Sequence, residues 1–352
     1  MFVLIMMMMI LNIFHLENFQ TNKTTMEFDP SKYSTTSFDS MGPALQLVKM
    51  IQKQNVNINQ PLRIVDLGCG PGNSSKLLAD AFPKSTIIGL DVVHEMIEHA
   101  KKNCPNDRCK FFVQDLNKPF DEWQQEIKEI LYTKSADIIF SNYALQWIFD
   151  PFILGDSIKK ILTPKTGMFF ANILYSDILS VVDKNDQHEC AMLERYLRYP
   201  NEQQFISDWI FGLKNRSHLH DIWIHYWQPR SVYPEKYYRE CIICKIPLKW
   251  HEHFIVDDVS ADIHARMSEI LKNLILKKRV KRIIPRNMNG KHDECDCNVN
   301  GNNHVKNGDN DDGEVNDIEI EQQVWTIVAR SSNDSCVCVY YVFFFFFCPN
   351  DN

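Results

Sequence analysis

Three glycines recur at every second position directly after an apolar run, within the sequence VDLGCGPGNSS of residues 65–75. They are Gly68, Gly70 and Gly72. The preceding run LRIV predicts a buried strand, and the following NSSKLLADAF predicts a helix whose N-cap is Asn73. A turn without side chains lets a ligand lie against the backbone, and the start of a helix offers free N–H groups. The spacing therefore predicts a site for a polar or anionic ligand.

Acidic residues end the first three predicted strands of this region. Asp66 ends the first strand just before the glycine turn, where its carboxylate can accept hydrogen bonds from an ammonium group or a bridging water. Asp91 ends TIIGLD, 19 residues beyond Gly72, where such folds hold ribose hydroxyls. Asp115 ends CKFFVQD. A ligand with an amino group, a ribose and an adenine amine would use all three acids. The alternative is that they cap helices or lie in loops.

Strand-like runs alternate with amphipathic segments from residue 62 to residue 174. The runs are LRIVDLG, TIIGLDV, CKFFVQD, ADIIFSN and GMFFANIL, and QQVWTIVARSS is a further strand near the end of the chain. This alternation predicts parallel βαβ units in an α/β, doubly wound sheet that binds ligands at the carboxyl ends of its strands.

The glycine turn and the acids resemble the cofactor motifs of class I S-adenosylmethionine-dependent methyltransferases. The turn reads D-x-G-x-G-x-G, which is neither G-x-G-x-x-G nor the Walker pattern. The resemblance implies a Rossmann-like, seven-stranded, mainly parallel sheet with a final antiparallel hairpin, and S-adenosyl-L-methionine as cofactor. It implies that the glycines admit the methionine portion, that Asp66 anchors it, that Asp91 holds the ribose and that Asp115 holds the adenine. Asn142 and Tyr33 are further cofactor contacts implied by the resemblance.

The fourth predicted strand is followed by a sequence that concerns the acceptor. Leu145, Gln146 and Trp147 resemble the Leu-Gln/His-Trp stretch of methyltransferases that esterify free carboxylates. The resemblance implies that Gln146 and Trp147 shape the acceptor pocket, although Trp147 as a core aromatic residue is the alternative. A carboxylate is already ionised at neutral pH, so its methylation requires no general base.

Residues 28–332 resemble juvenile hormone acid methyltransferases, apart from a polar insertion. The resemblance implies a hydrophobic isoprenoid acid, farnesoic acid or juvenile hormone acid, as substrate. A glutamine of that family has no counterpart at Phe38-Asp39-Ser40, which leaves the exact acid open. The alternatives are a small organic acid such as trans-aconitate, whose methyltransferases share LGCGPGNS more closely, and a non-catalytic cofactor-binding protein of the same fold.

The chain divides into a methyltransferase domain at 26–332, an apolar extension at 1–25 and a tail at 333–352. Within the domain, residues 187–230 are aromatic-rich and predict a helical lid, and residues 286–320 are rich in Asn, Asp and Gly and predict a disordered insertion. The aromatic residues of the lid either line a pocket for a greasy substrate or form the lid's own core. They are Trp209, Phe211, Trp223, Tyr226 and Trp227.

Charge and cysteine content limit the partners. The net charge of −7 does not favour nucleic acid, and 11 cysteines without a regular framework predict reduced thiols in a cytoplasmic protein. Both apolar ends are shorter than the roughly 20 residues of a membrane span, so a membrane anchor is not favoured. No metal is expected, because Cys241 and Cys244 lack a second pair in register and the sequence HDECDC reads as a polar linker. The sequence does not indicate whether the protein is a monomer or an oligomer.

Overall fold

A computed structural model describes most of the predicted domain. The residues described are 38–54, 60–104, 107–133, 135–175, 190–191, 199, 201–217, 219–234, 265–267, 269–270, 280–285 and 316–331. Cys241, Cys244 and the residues HDECDC lie outside them, as does Tyr33. In the part of the chain described, no helix is both long and apolar enough to cross a membrane.

Six helices and ten strands make up the described fold. The helices are α1 Phe38–Lys53, α2 Asn73–Ala81, α3 His94–Asn103, α4 Gln125–Thr133, α5 Pro151–Ile161 and α6 Glu202–Arg216. The strands of the first sheet are β1 Arg63–Leu67, β2 Thr86–Asp91, β3 Cys109–Val113, β4 Ile138–Asn142, β5 Met168–Tyr175, β6 Leu219–Trp227 and β10 Gln323–Ser331. The remaining strands are β7 Arg230–Pro234, β8 Val280–Pro285 and β9 Asn316–Glu321.

The seven strands of the first sheet have the order β3-β2-β1-β4-β5-β10-β6. The pairs from β3 to β5 are parallel, and β10 runs antiparallel to both β5 and β6. This confirms the predicted seven-stranded, mainly parallel α/β sheet. The predicted final hairpin is wrong, because the antiparallel strands β6 and β10 are separated in the chain by β7, β8 and β9. The strand order reverses between β1 and β4, which places the ends of these two strands beside the crevice where doubly wound folds bind ligands.

Helices cover both faces of the sheet, which is why its strands are apolar on both sides. One core forms between the sheet and α4, α5 and α6, and includes Val65, Leu67 and Trp209. The other forms between the sheet and α1, α2 and α3, and includes Leu47 and Ile64. The sheet is therefore the middle layer of three, and its carboxyl edge is held between two packed layers.

The predicted helical lid at 187–230 is wrong for its last third. Residues 219–227 are strand β6, the edge of the main sheet, and the residues of this strand alternate between more buried and more exposed positions. The aromatic side chains of LHDIWIHYW follow the period of two of a strand, which their density concealed. Helix α6 packs on α5 rather than standing apart, and Trp209 lies fully buried in the core between them and the sheet.

The predicted insertion at 286–320 extends too far toward the C-terminus. Residues 316–320 belong to β9, which pairs with β7 and β8 in a second, three-stranded sheet. The sequence NDIEIE alternates polar and apolar residues, a strand pattern that the preceding Asn- and Asp-rich stretch obscured.

Candidate functional site

The glycine turn after β1 uses a backbone that residues with side chains rarely adopt. Gly68, Gly70 and Gly72 have φ angles of 71°, 53° and 86°. A Cβ on Gly68 would lie 2.1 Å from the Cβ of Ala144, and one on Gly72 would lie 2.9 Å from the Cβ of Ala100. A Cβ on Gly70 would have no atom within 4 Å. The outer two glycines therefore pack against protein, whereas Gly70 faces open space.

Helix α2 begins one residue earlier than the sequence suggested. Its N-cap is Gly72 in the left-handed conformation, and no side chain caps the helix. Asn73, predicted as the N-cap, is the first helical residue, and its Oδ1 accepts a hydrogen bond of 2.6 Å from Nδ2 of Asn103 on α3. Since no side chain occupies the N-cap role, the first N–H groups of α2 remain the predicted donors to a ligand.

Asp66 is a fully buried carboxylate beneath the start of α2. Its Oδ2 accepts hydrogen bonds of 2.7 Å from the hydroxyls of both Ser74 and Ser75. Its Oδ1 is buried and has no hydrogen-bond partner. Burial raises the pKa of Asp66 to about 6, and the nearby Asp91 adds to the rise, while the two serine hydrogen bonds oppose it. A buried carboxylate oxygen without a donor is a place for a ligand's ammonium group.

Asp91 joins the end of β2 to the glycine turn. Its Oδ2 accepts a hydrogen bond of 2.9 Å from the backbone N–H of Gly70, and its Oδ1 accepts one of 2.9 Å from that of Val93. Burial raises the pKa of Asp91, and the backbone hydrogen bonds oppose that rise. Each carboxylate oxygen can accept a second hydrogen bond, so hydroxyls of a ligand can bind without displacing the backbone donors.

Val92 is an exposed apolar residue that sequence reasoning overlooked. It follows Asp91 directly, and 57% of its surface is exposed. A branched aliphatic side chain at this position offers an apolar surface next to Asp91, the residue predicted to hold the ribose. Its place directly after the strand-end acid was a signal in the sequence, but that place alone does not distinguish Val92 from a residue of the strand.

Asp115 lies two residues beyond the end of β3, not at the strand end as predicted. Its Oδ1 accepts a hydrogen bond of 2.9 Å from the backbone N–H of Asn117, which forms a tight turn. The side chain of the preceding Gln114 is buried and donates to the Asp115 carbonyl at 2.8 Å. Since Val113 pairs with Asp91 across β2 and β3, Asp115 stays on the same edge of the sheet as Asp91.

A strained turn follows β4 at the position predicted to contact the acceptor. We call residues 143–147 the acceptor turn. Tyr143 has a φ of 57°, unusual for a residue with a side chain, and the turn leads into a short 3-10 helix at Leu145–Trp147. Gln146 is buried, and its Nε2 donates to the carbonyl of Tyr143 at 2.7 Å. Trp147 is partly exposed rather than a core residue. The hydrogen bond from Gln146 holds the turn in place. Contact of Gln146 or Trp147 with an acceptor stays a prediction.

The two ends of the crevice are joined at Gly68 and Ala144, whose close approach brings the acceptor turn against the glycine turn. Asn142, the last residue of β4, donates from Nδ2 to the carbonyl of Ser40 in α1 at 3.1 Å. Helix α1 therefore contacts the same edge of the sheet.

The residues present fit S-adenosylmethionine. The unpartnered Oδ1 of Asp66 suits its ammonium group, the open face of Gly70 leaves room for its methionine portion, and Asp91 can accept from its ribose hydroxyls. Among the residues that the structure describes, no group of three or more His, Cys, Asp or Glu side chains could hold a metal ion.

The comparisons with known proteins concern the same part of the chain. Residues 58–229 match a family model described as a methyltransferase domain. Trans-aconitate 2-methyltransferase of Shigella flexneri serotype 5b is 32% identical over 139 residues, which are 40% of this chain and 48% of the relative. The enzyme of the same name from Escherichia coli O157:H7 has the same identity and coverage. The chain thus spans about half the length of the curated relatives it matches.

Among solved structures, Haemonchus contortus phosphoethanolamine N-methyltransferase 2 in complex with phosphomonomethylethanolamine and S-adenosylhomocysteine has a TM-score of 0.46 at 13% identity, over 89% of this chain and 59% of that chain. The family match covers the glycine turn, the acids and the acceptor turn together. The family match thus indicates a methyltransferase domain at residues 58–229.

Proposed function

We propose that the protein transfers a methyl group from S-adenosylmethionine to the carboxylate of a hydrophobic isoprenoid acid, farnesoic acid or juvenile hormone acid. The observation that carries the transfer is the buried, unpartnered Oδ1 of Asp66, together with the open space at Gly70. The choice of a carboxylate rests on the resemblance of Leu145–Trp147 to carboxyl methyltransferases. The choice of an isoprenoid acid rests on the resemblance of residues 28–332 to juvenile hormone acid methyltransferases.

The acids and the glycine turn hold the cofactor in this proposal. Asp66 accepts from the ammonium group at Oδ1, while Ser74 and Ser75 keep its other oxygen occupied. Asp91 accepts hydrogen bonds from the ribose hydroxyls. Asp115 and the apolar face of Val92 contact the adenine. Tyr33, Gly68, Gly72 and Asn142 complete the proposed cofactor contacts. When bound, S-adenosylmethionine supplies an electrophilic methyl carbon on a sulfonium sulfur. Transfer of the methyl group to the carboxylate would give a methyl ester and leave the sulfur as the thioether of S-adenosylhomocysteine.

The acceptor turn has to align a nucleophile rather than activate one. A carboxylate carries its negative charge at neutral pH, so no residue needs to remove a proton from it. The turn at Tyr143 and the partly exposed Trp147 line the acceptor side, and buried Gln146 keeps that turn in place. Fixed alignment and exclusion of water are the contributions that such a displacement asks of a protein.

A small organic acid is the second candidate, because the curated relatives are trans-aconitate 2-methyltransferases at 32% identity. Their matched segment contains the cofactor motifs, and it covers 48% of their length. A small polyanion would need arginine or lysine side chains converging on the acceptor turn, whereas an isoprenoid acid would need an apolar channel. The two candidates therefore differ in a way that substrates can reveal.

A panel of acids tests the proposal. The full chain is incubated with S-adenosylmethionine labelled in the methyl group and with farnesoic acid, juvenile hormone acid or trans-aconitate, and the labelled ester is extracted and counted. The proposal expects labelled ester from the isoprenoid acids and little from trans-aconitate. The reverse order would establish the small-acid candidate, and calorimetric binding of the cofactor without ester from any acid would identify a non-catalytic binding protein.

A further inference from the structure

A chain of hydrogen bonds crosses four neighbouring strands and ends at helix α1. Nε1 of Trp227 on β6 donates to Oγ1 of Thr326 on β10 at 3.0 Å, and that hydroxyl donates to Oδ1 of Asn172 on β5 at 2.6 Å. Nδ2 of Asn172 donates to Oδ1 of Asn142 on β4 at 2.9 Å, and Nδ2 of Asn142 donates to the carbonyl of Ser40 at 3.1 Å. We call these five residues the cross-strand chain.

The cross-strand chain has one direction, because the indole nitrogen at one end can only donate and the backbone carbonyls of Ser40 and Pro43 at the other end can only accept. The hydroxyl of Thr326 accepts from Trp227 and donates its one hydrogen to Asn172. Asn172 must then present its oxygen to Thr326 and its NH₂ group to Asn142. The same logic turns the oxygen of Asn142 toward Asn172 and its NH₂ group toward α1. The hydroxyl of Thr326 is therefore the donor that satisfies the buried oxygen of Asn172 and so supports the orientation of that amide beside the cofactor crevice.

Burial makes that orientation costly to change. Asn172 is 1% exposed and Thr326 is 3% exposed. A buried polar group that loses its partner destabilises the fold, so a flipped amide that faced oxygen with oxygen would be disfavoured. The second hydrogen of the Asn172 NH₂ group is also used, because Nδ2 donates to the carbonyl of Pro43 at 3.0 Å.

Asn172 also holds the acceptor turn through its backbone. Its carbonyl accepts a hydrogen bond of 2.9 Å from the N–H of Tyr143, the residue with the left-handed φ. One residue thus contacts α1 through Pro43, the crevice through Asn142 and the acceptor turn through Tyr143. Nothing in the linear sequence brings these positions together, since they lie on different elements of the fold.

We propose that Asn172 is a positioning residue, and that Thr326 and Trp227 act through it to fix Asn142 and the first turns of α1 over the cofactor. This proposal rests on the proposed function only in taking the crevice to bind S-adenosylmethionine. It predicts that groups remote from the crevice control affinity for the cofactor product, S-adenosylhomocysteine, through the orientation of one amide.

The test compares two substitutions of Thr326 in the full-length protein. Thr326→Val keeps the shape but removes the hydroxyl, whereas Thr326→Ser keeps the hydroxyl. Titration calorimetry with S-adenosylhomocysteine should show a Kd about tenfold weaker for Thr326→Val and a Kd within about twofold of the original for Thr326→Ser. Ile327→Val is the matched control, because Ile327 is buried on the opposite face of the same strand and should lose stability without losing affinity.

A double variant tests whether the residues act as one chain. Within the cross-strand chain, Asn142 and Thr326 are linked only through Asn172. The losses of affinity caused by Asn142→Ala and Thr326→Val should therefore not add. The account predicts that each single variant and the double variant all bind about tenfold more weakly. Hydrogen exchange at the backbone amides of Ala44 and Leu45, which follow Pro43 in α1, should also be faster in Thr326→Val than in Ile327→Val.

The outcomes separate the two proposals. If the original protein binds S-adenosylhomocysteine and Thr326→Val binds equally well, or if Ile327→Val weakens binding as much, the positioning role is overturned and the proposed function stands. A hundredfold loss in the double variant would also overturn it, because independent residues add. If the original protein does not bind S-adenosylhomocysteine, the proposed function fails, and the positioning role fails with it.

Discussion

The backbone N–H of Gly70 donates a hydrogen bond of 2.9 Å to the carboxylate of Asp91, which joins the open middle of the glycine turn to the end of the second strand. The two residues are 21 positions apart and lie on adjacent strand ends. Because Gly70 has no neighbour where a Cβ would stand, this bond holds its backbone in place while leaving its other side open. The predictions for the glycine turn follow from that relationship.

Gly70→Ala should fold and bind the cofactor poorly. A Cβ at Gly70 meets no atom within 4 Å, so the folding cost is that of an alanine in the left-handed region, about 1–2 kcal/mol. The new methyl group would occupy the space proposed for the methionine portion. We expect a cooperative thermal transition and a Kd for S-adenosylhomocysteine at least about tenfold weaker.

Gly68→Ala is the contrasting variant. Its Cβ would lie 2.1 Å from the Cβ of Ala144, so the acceptor turn would have to move and the protein should lose stability beyond the backbone strain. Adding Ala144→Gly in the same chain should recover part of the loss in urea unfolding. Equal stability of Gly68→Ala and Gly70→Ala would contradict this account of the turn.

The buried Asp66 should make unfolding depend on pH. The folded pKa of about 6 exceeds the ordinary value of 3.8, so the folded state binds the proton more tightly than the unfolded state does. The contribution of Asp66 to stability is therefore greatest below pH 3.8, falls as the pH rises to about 6, and is constant above that pH. The fall amounts to about 3 kcal/mol.

Asp66→Asn isolates that contribution. The difference in free energy of unfolding between Asp66→Asn and the original protein should shift in favour of the variant as the pH rises from 4 to 7, whatever its constant part. Urea unfolding at several pH values measures it. A difference independent of pH would mean that Asp66 keeps an ordinary pKa in the folded protein.

Affinity for the cofactor product should fall at acidic pH for the same reason. Protonated Asp66 lacks the charge that would hold an ammonium group. The Kd for S-adenosylhomocysteine should therefore rise as the pH drops below about 6. Calorimetry between pH 5 and 8 checks this, and Asp66→Asn should bind weakly with a flatter pH profile. A variant profile as steep as the original would assign the titration to another group.

Arg108 should stabilise the link between α2 and β2. Its guanidinium donates to the carbonyls of Ala79, Phe82 and Ser85 at 3.2, 3.2 and 2.9 Å. Arg108→Ala should cost about 1.5–3 kcal/mol in urea unfolding, the range for hydrogen bonds to charged groups. Arg108→Lys should restore only part of that, because an ammonium group cannot reproduce the planar fork. Full stability of the lysine variant would show that charge alone suffices.

The sequence predicted what local patterns encode. The five parallel strands and β10 stand out because continuous apolar runs end at turn residues, and the glycine spacing marked its turn because glycine adopts those φ angles without the strain of a side chain. Asp66 and Asp91 followed from their places at strand ends. These features depend on residues close together in the chain.

Features that depend on tertiary packing were missed. Strand β6 was predicted as part of a helical lid, because aromatic density masked the alternation that its pairing with β10 requires. The N-cap was assigned to Asn73, whose side chain instead binds Asn103 on α3. The cross-strand chain could not be predicted, since Asn172 and Thr326 meet only when β10 inserts between β5 and β6.

The central claim is that the glycine turn and the acids beside it bind one sulfonium nucleoside. Titration calorimetry of the full-length protein with S-adenosylhomocysteine tests it most directly. The account predicts a saturable heat of binding at neutral pH that is strongly reduced in Gly70→Ala, although this variant stays folded. No heat of binding by the folded original protein, or an unchanged Kd in folded Gly70→Ala, would contradict it.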